Sequence, residues 1–185
     1  MTKADKVITY RPYIRHSQAK PGIPRQPPAI DAHVDITARA AARQAREFMD
    51  TIDPDFQYTR AVHLSCWRAF STPPQDWPLA LCNARSVRDE EGLVNSAIWQ
   101  TEVPDVENLP PLPEVVKSEA YAFPYREEHE WCYFSGMTRD ELLCLKLNDS
   151  DHSRPWRTPH CSFYNDEEGT HARESVEIRA VCYFK

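Results

Sequence analysis

The sequence predicts a mainly β protein with a few helices, folded as a closed or sandwiched antiparallel sheet such as a jelly roll. Three observations carry that expectation. Short runs of β-branched and aromatic residues recur from end to end between turn residues, the pattern of many short strands. One early segment has clear helical spacing. The final stretch alternates Val176, Ile178, Ala180 and Cys182 with Ser175, Glu177, Arg179 and Val181, a period of two that marks a half-buried strand.

The elements follow in order. A first strand is expected over Lys6–Tyr13, then a stiff extended connection where prolines cluster at 21–28, then a strand over Ala29–Val34. Thr37 can cap a helix in which Ala38, Ala41, Ala42, Ala45, Phe48, Met49 and Ile52 share one face, with Arg39, Arg43, Arg46 and Glu47 on the other. Asp53-Pro54 closes it. Strands are then expected at Arg60–Ala69, Ala80–Ala84 and Leu93–Thr101, followed by a second proline cluster at 104–113. Further strands are Ser118–Tyr125 and Glu130–Phe134, and Thr138-Arg-Asp-Glu141 has the form of a capping box that opens a short second helix. Leu142–Asn148, Thr158–Tyr164 and Arg173–Phe184 complete the strands. With 185 residues, length indicates one globular unit. Residues 1–28 read as an N-terminal extension with one strand and a proline-rich linker, and 29–185 as the jelly-roll domain.

Composition excludes several classes. Net charge is −6, and the longest basic cluster (Arg11, Arg15, His16, Lys20, Arg25) is diluted by prolines, so no nucleic-acid partner is expected. No run approaches the roughly eighteen apolar residues of a membrane span, and the first residues lack the apolar core of a signal peptide. A cytoplasmic protein without a membrane partner is the expectation; homo-oligomer formation is left open. The six cysteines (Cys66, Cys82, Cys132, Cys144, Cys161, Cys182) form no C-x-x-C pair and read as buried free thiols. Four glycines leave no phosphate-binding loop, and no serine sits in a nucleophile elbow.

The chemistry concentrates at His33-Val34-Asp35. Residues two apart on a strand point the same way, so His33 and Asp35 can grip one ion together. His160, at the start of a later strand, supplies a second imidazole. Two histidines and one carboxylate on one face make a facial triad for Fe(II), with three positions left for a bidentate 2-oxo acid and dioxygen. The competing reading is a surface histidine beside an Asp35 that caps the helix. Arg173 and Ser175, two apart on the polar face of the last strand, weigh against it. Together they can hold the far carboxylate of 2-oxoglutarate, the arginine by a bidentate charged pair and the serine by its hydroxyl; the competing reading for Arg173 is a surface ion pair with Glu174 or Asp166. Arg85 could meet a substrate carboxylate or pair with Asp89 or Glu90. Trp67, Trp99, Trp131, Tyr133 and Phe134 could line an apolar substrate pocket or belong to the core; Trp131 and Tyr133 are retained as substrate-binding candidates. His129 and His171 remain spare histidines.

From about Pro28 to Phe184 the sequence resembles the AsaB-type hydroxylase/desaturase family, with its cephamycin 7α-methoxylase-like members. The resemblance rests on His33-Val34-Asp35, Cys66-Trp67-Arg68, Trp77 to Val87, His129 to Met137, Asp140-Glu141, Lys146, Asp149-Ser150, Pro159-His160 and Arg173 to Arg179. It implies a double-stranded β-helix (jelly-roll, cupin-like) core, and an oxygenase using Fe(II), 2-oxoglutarate and O2 on a small natural-product intermediate. Two departures accompany it: a short stretch ahead of His33, which implies an N-terminally shortened core, and Asn83 where aspartate is common. The alternatives are a catalytically inactive jelly-roll binding module or shortened family member, and a zinc hydrolase on the same three ligands.

Overall fold

The computed structural model describes residues 2–18, 25–97 and 118–185. Among them the elements run β1 (Lys6–His16), β2 (His33–Val34), α1 (Ala38–Ile52), β3 (Arg60–Ala69), β4 (Leu79–Cys82), β5 (Leu93–Ala97), β6 (Ser118–Ala122), β7 (Trp131–Tyr133), β8 (Leu143–Asp149), β9 (His160–Ser162) and β10 (Glu174–Phe184). Lys20, Trp99, the prolines at 104–113 and the end of the strand expected over Leu93–Thr101 lie outside the described residues.

The strands form two antiparallel sheets, one ordered β1-β10-β3-β8 and the other β5-β6-β2-β9-β4-β7. Along the chain β1, β3, β8 and β10 fall in the first sheet, while β2, β4, β7 and β9 fall in the second. That is the path of an eight-stranded jelly roll; the β5–β6 hairpin extends the second sheet beyond β2. β1 pairs with β10 from Lys6↔Tyr183 to His16↔Glu174, with a bulge at Arg11. The strand expected in an N-terminal extension is therefore the edge of the four-stranded sheet, because its main chain completes the hydrogen bonding of β10.

The interior face of β10 changes character along its length. Ser175, Glu177 and Arg179 point inward near the site, whereas Val181 and Tyr183 point inward at the other end and are fully buried. Ile178, on the alternate face, is exposed. The apolar end meets α1, whose Ala45 and Met49 pack on Ala61, Val181 and Tyr183. Burying Met49 or Val181 there is worth roughly 1.5–3 kcal/mol each. Alanines at 40, 41 and 45 let the helix approach the sheet closely, and the Tyr183 hydroxyl donates to the Ala45 carbonyl at 3.0 Å. The buried stripe includes Ala40 and leaves Ala42 and Ile52 exposed, a rotation of the face expected from spacing alone.

Thr37 caps α1, its hydroxyl accepting from the Ala40 N–H at 3.1 Å while donating to Glu119 at 2.9 Å. The expected second helix is absent. Glu141 reaches back to the Thr138 N–H at 2.8 Å, as in a capping box, but the segment is only a turn because β8 begins at Leu143. The cysteines are free, yet Cys132 and Cys144 are exposed; they lie on β7 and β8, the edge strands of their sheets. A second apolar cluster (Trp67, Ala69, Met137, Leu145) packs against Leu79 and Leu81. The polar site lies between this cluster and the one under the helix.

Candidate metal centre

β2 is only two residues long, held by β6 on one side and β9 on the other, and His33 stands directly opposite His160. Opposed residues of an antiparallel ladder share a face. Both imidazoles therefore project together, with ring centroids 4.5 Å apart. Asp35 joins them: His160 Nε2 lies 3.4 Å from Asp35 Oδ2, and His33 Nε2 lies 3.7 Å from Oδ1. One ligand atom from each of the three residues falls within 4.8 Å of the others. With Thr37 serving as the helix cap, Asp35 is free for this role.

The donor set fits a divalent first-row metal. His33 Nδ1 is 2.6 Å from the Asp31 carbonyl, and His160 Nδ1 is 3.1 Å from the Thr158 carbonyl. A carbonyl only accepts, so each Nδ1 carries the hydrogen and each Nε2 offers its lone pair toward Asp35. Asp35 Oδ2 is buried without a hydrogen-bond partner. Three electron-rich atoms facing one another call for a cation. Burial alone would raise the Asp35 carboxyl, but His160 and the Arg179 guanidinium outweigh it and hold it well below the usual carboxylate range. Burial and the neighbouring His160 push His33 down. For His160 burial acts downward too, but the adjacent Asp35 carboxylate prevails and raises it.

Arg173 is 1 % exposed. Its Nη1 donates to Ser162 Oγ at 2.6 Å and to the Trp77 carbonyl at 2.7 Å, its Nε has no partner, and the guanidinium stacks 5.7 Å from the Trp67 ring centroid. No carboxylate within 4.0 Å pairs with it among the described residues, and Glu174 pairs instead with Arg25 at 3.1 Å. Burial pushes Arg173 down to about 10, which leaves it cationic at neutral pH. The Ser175 hydroxyl, two residues on, is likewise 1 % exposed and unpartnered. Arg173, His33 and His160 line one cavity of about 20 Å³, walled by Trp67, Leu79 and Leu145. A buried guanidinium with no carboxylate within 4.0 Å among the described residues, beside two imidazoles, has the chemistry to hold an anion.

The structure does not bring Arg85, Trp131 or Tyr133 to this cluster. Arg85 sits on an exposed turn after β4. Register pairs Ala80 with both Tyr133 and Cys161, and Leu81 with His160, so Tyr133 and Trp131 face away from His160. They line an outer apolar groove with Phe163 instead. His129 is bound to Glu91 at 2.6 Å, and His171 pairs its main chain with Gln75. Three partners of the site were not foreseen: Ser162, Glu177 and Arg179. The period-two alternation of β10 places Glu177 and Arg179 on the Ser175 face, and Ser162 follows His160 by two on β9; that parity was the available signal.

The chain also has recognisable relatives among known proteins. A family profile described as "Oxidoreductase/YMDC permease-like domain" matches residues 1–183. The hydroxylase/desaturase efuI of Hormonema carpetanum is 29 % identical over 85 % of this chain and 52 % of its own length. The Fe(II)/2-oxoglutarate-dependent dioxygenase nvfI of Aspergillus novofumigatus is 27 % identical over 99 % of this chain and 62 % of its own. The structure of the iron and alpha-ketoglutarate-dependent endoperoxidase NvfI superposes with a TM-score of 0.79 at 26 % identity, covering 98 % of this chain and 63 % of that one. The chain thus spans less than two thirds of the length of these relatives.

Proposed function

The chain belongs to the Oxidoreductase/YMDC permease-like domain family, and from that premise we propose that it is an Fe(II)/2-oxoglutarate-dependent oxygenase that hydroxylates or desaturates a small natural-product intermediate. The observation that carries this reading is Arg173, a buried cation without a carboxylate partner in the cavity that His33 and His160 line. A zinc hydrolase does not need such a cation, whereas a dicarboxylate co-substrate is anchored by one. Relatives named as dioxygenases and hydroxylase/desaturases point the same way.

In this reading His33, Asp35 and His160 hold the metal by Nε2, one carboxylate oxygen and Nε2. Arg173 and Ser175 take the far carboxylate of 2-oxoglutarate, the guanidinium seated by Ser162 and Trp77. Trp67, Leu79 and Leu145 wall the cavity and exclude water, which strengthens each charged contact inside. When bound, Fe(II) supplies dioxygen activation coupled to conversion of 2-oxoglutarate to succinate and CO2. The organic substrate approaches from a separate recess of about 210 Å³ that touches Asp35 and is lined by Tyr10, Arg11, Gln44 and Glu119; this polar wall suits an oxygen-rich molecule. No described helix is long and apolar enough to cross a membrane, and we place the reaction in the cytoplasm, with a small molecule as partner.

Anaerobic addition of Fe(II) and 2-oxoglutarate tests the proposal. The expected result is a weak visible charge-transfer band, followed by succinate release on admitting air. If neither appears, and His160→Ala leaves metal content unchanged, the oxygenase reading fails.

A further inference from the structure

Asp35 does not stand alone at the metal cluster. Arg179 Nη2 donates to its Oδ1 at 2.7 Å, and Glu177 Oε1 accepts from the same guanidinium at 3.0 Å (Nη2) and 3.2 Å (Nε). The Tyr13 ring lies beneath, 4.8 Å from the guanidinium carbon. All three charged side chains are nearly buried, at 12 %, 12 % and 10 % exposure for Asp35, Arg179 and Glu177.

A carboxylate turns about its last torsion with little preference, and a free one can offer a metal one oxygen or two. Arg179 restricts that freedom: Oδ1 accepts its N–H while lying 3.7 Å from His33 Nε2, and this sets Oδ2, buried and unpartnered among the described residues, 3.4 Å from His160 Nε2. A guanidinium this close would also repel a cation. Glu177 cancels that charge from the far side, and its own position is fixed by the β10 alternation that turns both residues inward. We propose that Arg179 and Glu177 form a positioning pair that fixes the Asp35 carboxylate in the orientation that faces His33 and His160. This inference rests on the metal site proposed above.

The test uses Co(II) as the probe, titrated into the metal-free protein and read by its visible ligand-field spectrum, alongside the thermal midpoint of each metal-free variant. Arg179→Gln is expected to weaken Co(II) binding by about ten- to a hundredfold, the usual cost of losing a partner of a ligand, and to change the spectrum as Asp35 turns. Arg179→Lys, which keeps one donor and the charge, is expected to recover most of the affinity. Glu177→Gln is expected to weaken binding by leaving the guanidinium charge uncompensated. Wild-type affinity and spectrum in Arg179→Gln, or tighter binding, overturn the inference and make the pair a strut between β2 and β10. If Arg179→Gln does not fold, Glu177→Gln decides, and unchanged Co(II) affinity there overturns it equally. Failure of the wild type to bind Co(II) overturns the metal site itself, and the positioning role with it.

Discussion

Arg173 Nη1 and Ser162 Oγ lie 2.6 Å apart, which ties the proposed anion socket to the strand that carries His160. Ser162 and His160 are two apart on β9 and share its inner face. Arg173→Ala is expected to raise the 2-oxoglutarate requirement tenfold or more, since a hydrogen bond to a charged group is worth about 1.5–3 kcal/mol. Ser162→Ala loosens the arginine without removing it, and its effect is expected to be a smaller, several-fold rise. Titrating the charge-transfer band with 2-oxoglutarate measures both. Metal content unaltered in each variant, with an unaltered 2-oxoglutarate requirement, would refute the socket.

His33 and His160 present Nε2 because main-chain carbonyls hold their Nδ1 hydrogens. His160→Ala is expected to cut bound iron from near stoichiometric to near zero, while far-ultraviolet circular dichroism stays that of the wild type. Elemental analysis after desalting is the readout. Full retention of iron would remove His160 from the ligand set.

His63 is 1 % exposed and neither ring nitrogen has a partner. Burial pushes it from 6.5 down to about 4. Below about pH 6.5 the unfolded chain takes up a proton that the folded chain refuses until about pH 4, so stability falls as pH drops through that window and is fully present above it. The ceiling is about 3 kcal/mol. His63→Phe is expected to flatten the acid limb of a urea-stability profile; parallel profiles for the two proteins would contradict this.

Asp149 is fully buried and receives Arg60 through two bonds, Nε to Oδ1 at 2.8 Å and Nη2 to Oδ2 at 2.6 Å, with Lys146 at 3.1 Å. Burial works against its ionisation, but Arg60 first and then the remaining partners bring it down to about 2. Asp149→Ala removes the acceptor of two charged hydrogen bonds at the β3–β8 junction, and a loss of about 1.5–3 kcal/mol is expected. Equilibrium denaturation measures it, and a loss under about 1 kcal/mol would show the pair to be solvated.

Much of the barrel was legible because its strands are short, alternate cleanly and end at turn residues: Arg60–Ala69 is found with the expected bounds. What periodicity could not supply was the sign of the inner face. On β10 the polar set Ser175, Glu177 and Arg179 points inward, the reverse of an ordinary half-buried strand, because the barrel interior is a site as well as a core. The same parity rule accounts for where the β7 side chains go. Trp131 and Tyr133 looked like pocket residues by type, but register places them on the outer face, and register depends on pairings between segments far apart in sequence. The turn at Thr138 likewise carries helix-start chemistry that the next strand overrides.

The cavity joining Arg173 to the two histidines has room for about one water molecule. A five-carbon dicarboxylate needs more room than that, so side chains such as Trp67, Leu79 and Leu145 shift as it seats. Part of the attraction is then spent on moving them, and the observed affinity falls short of what the charges alone would give.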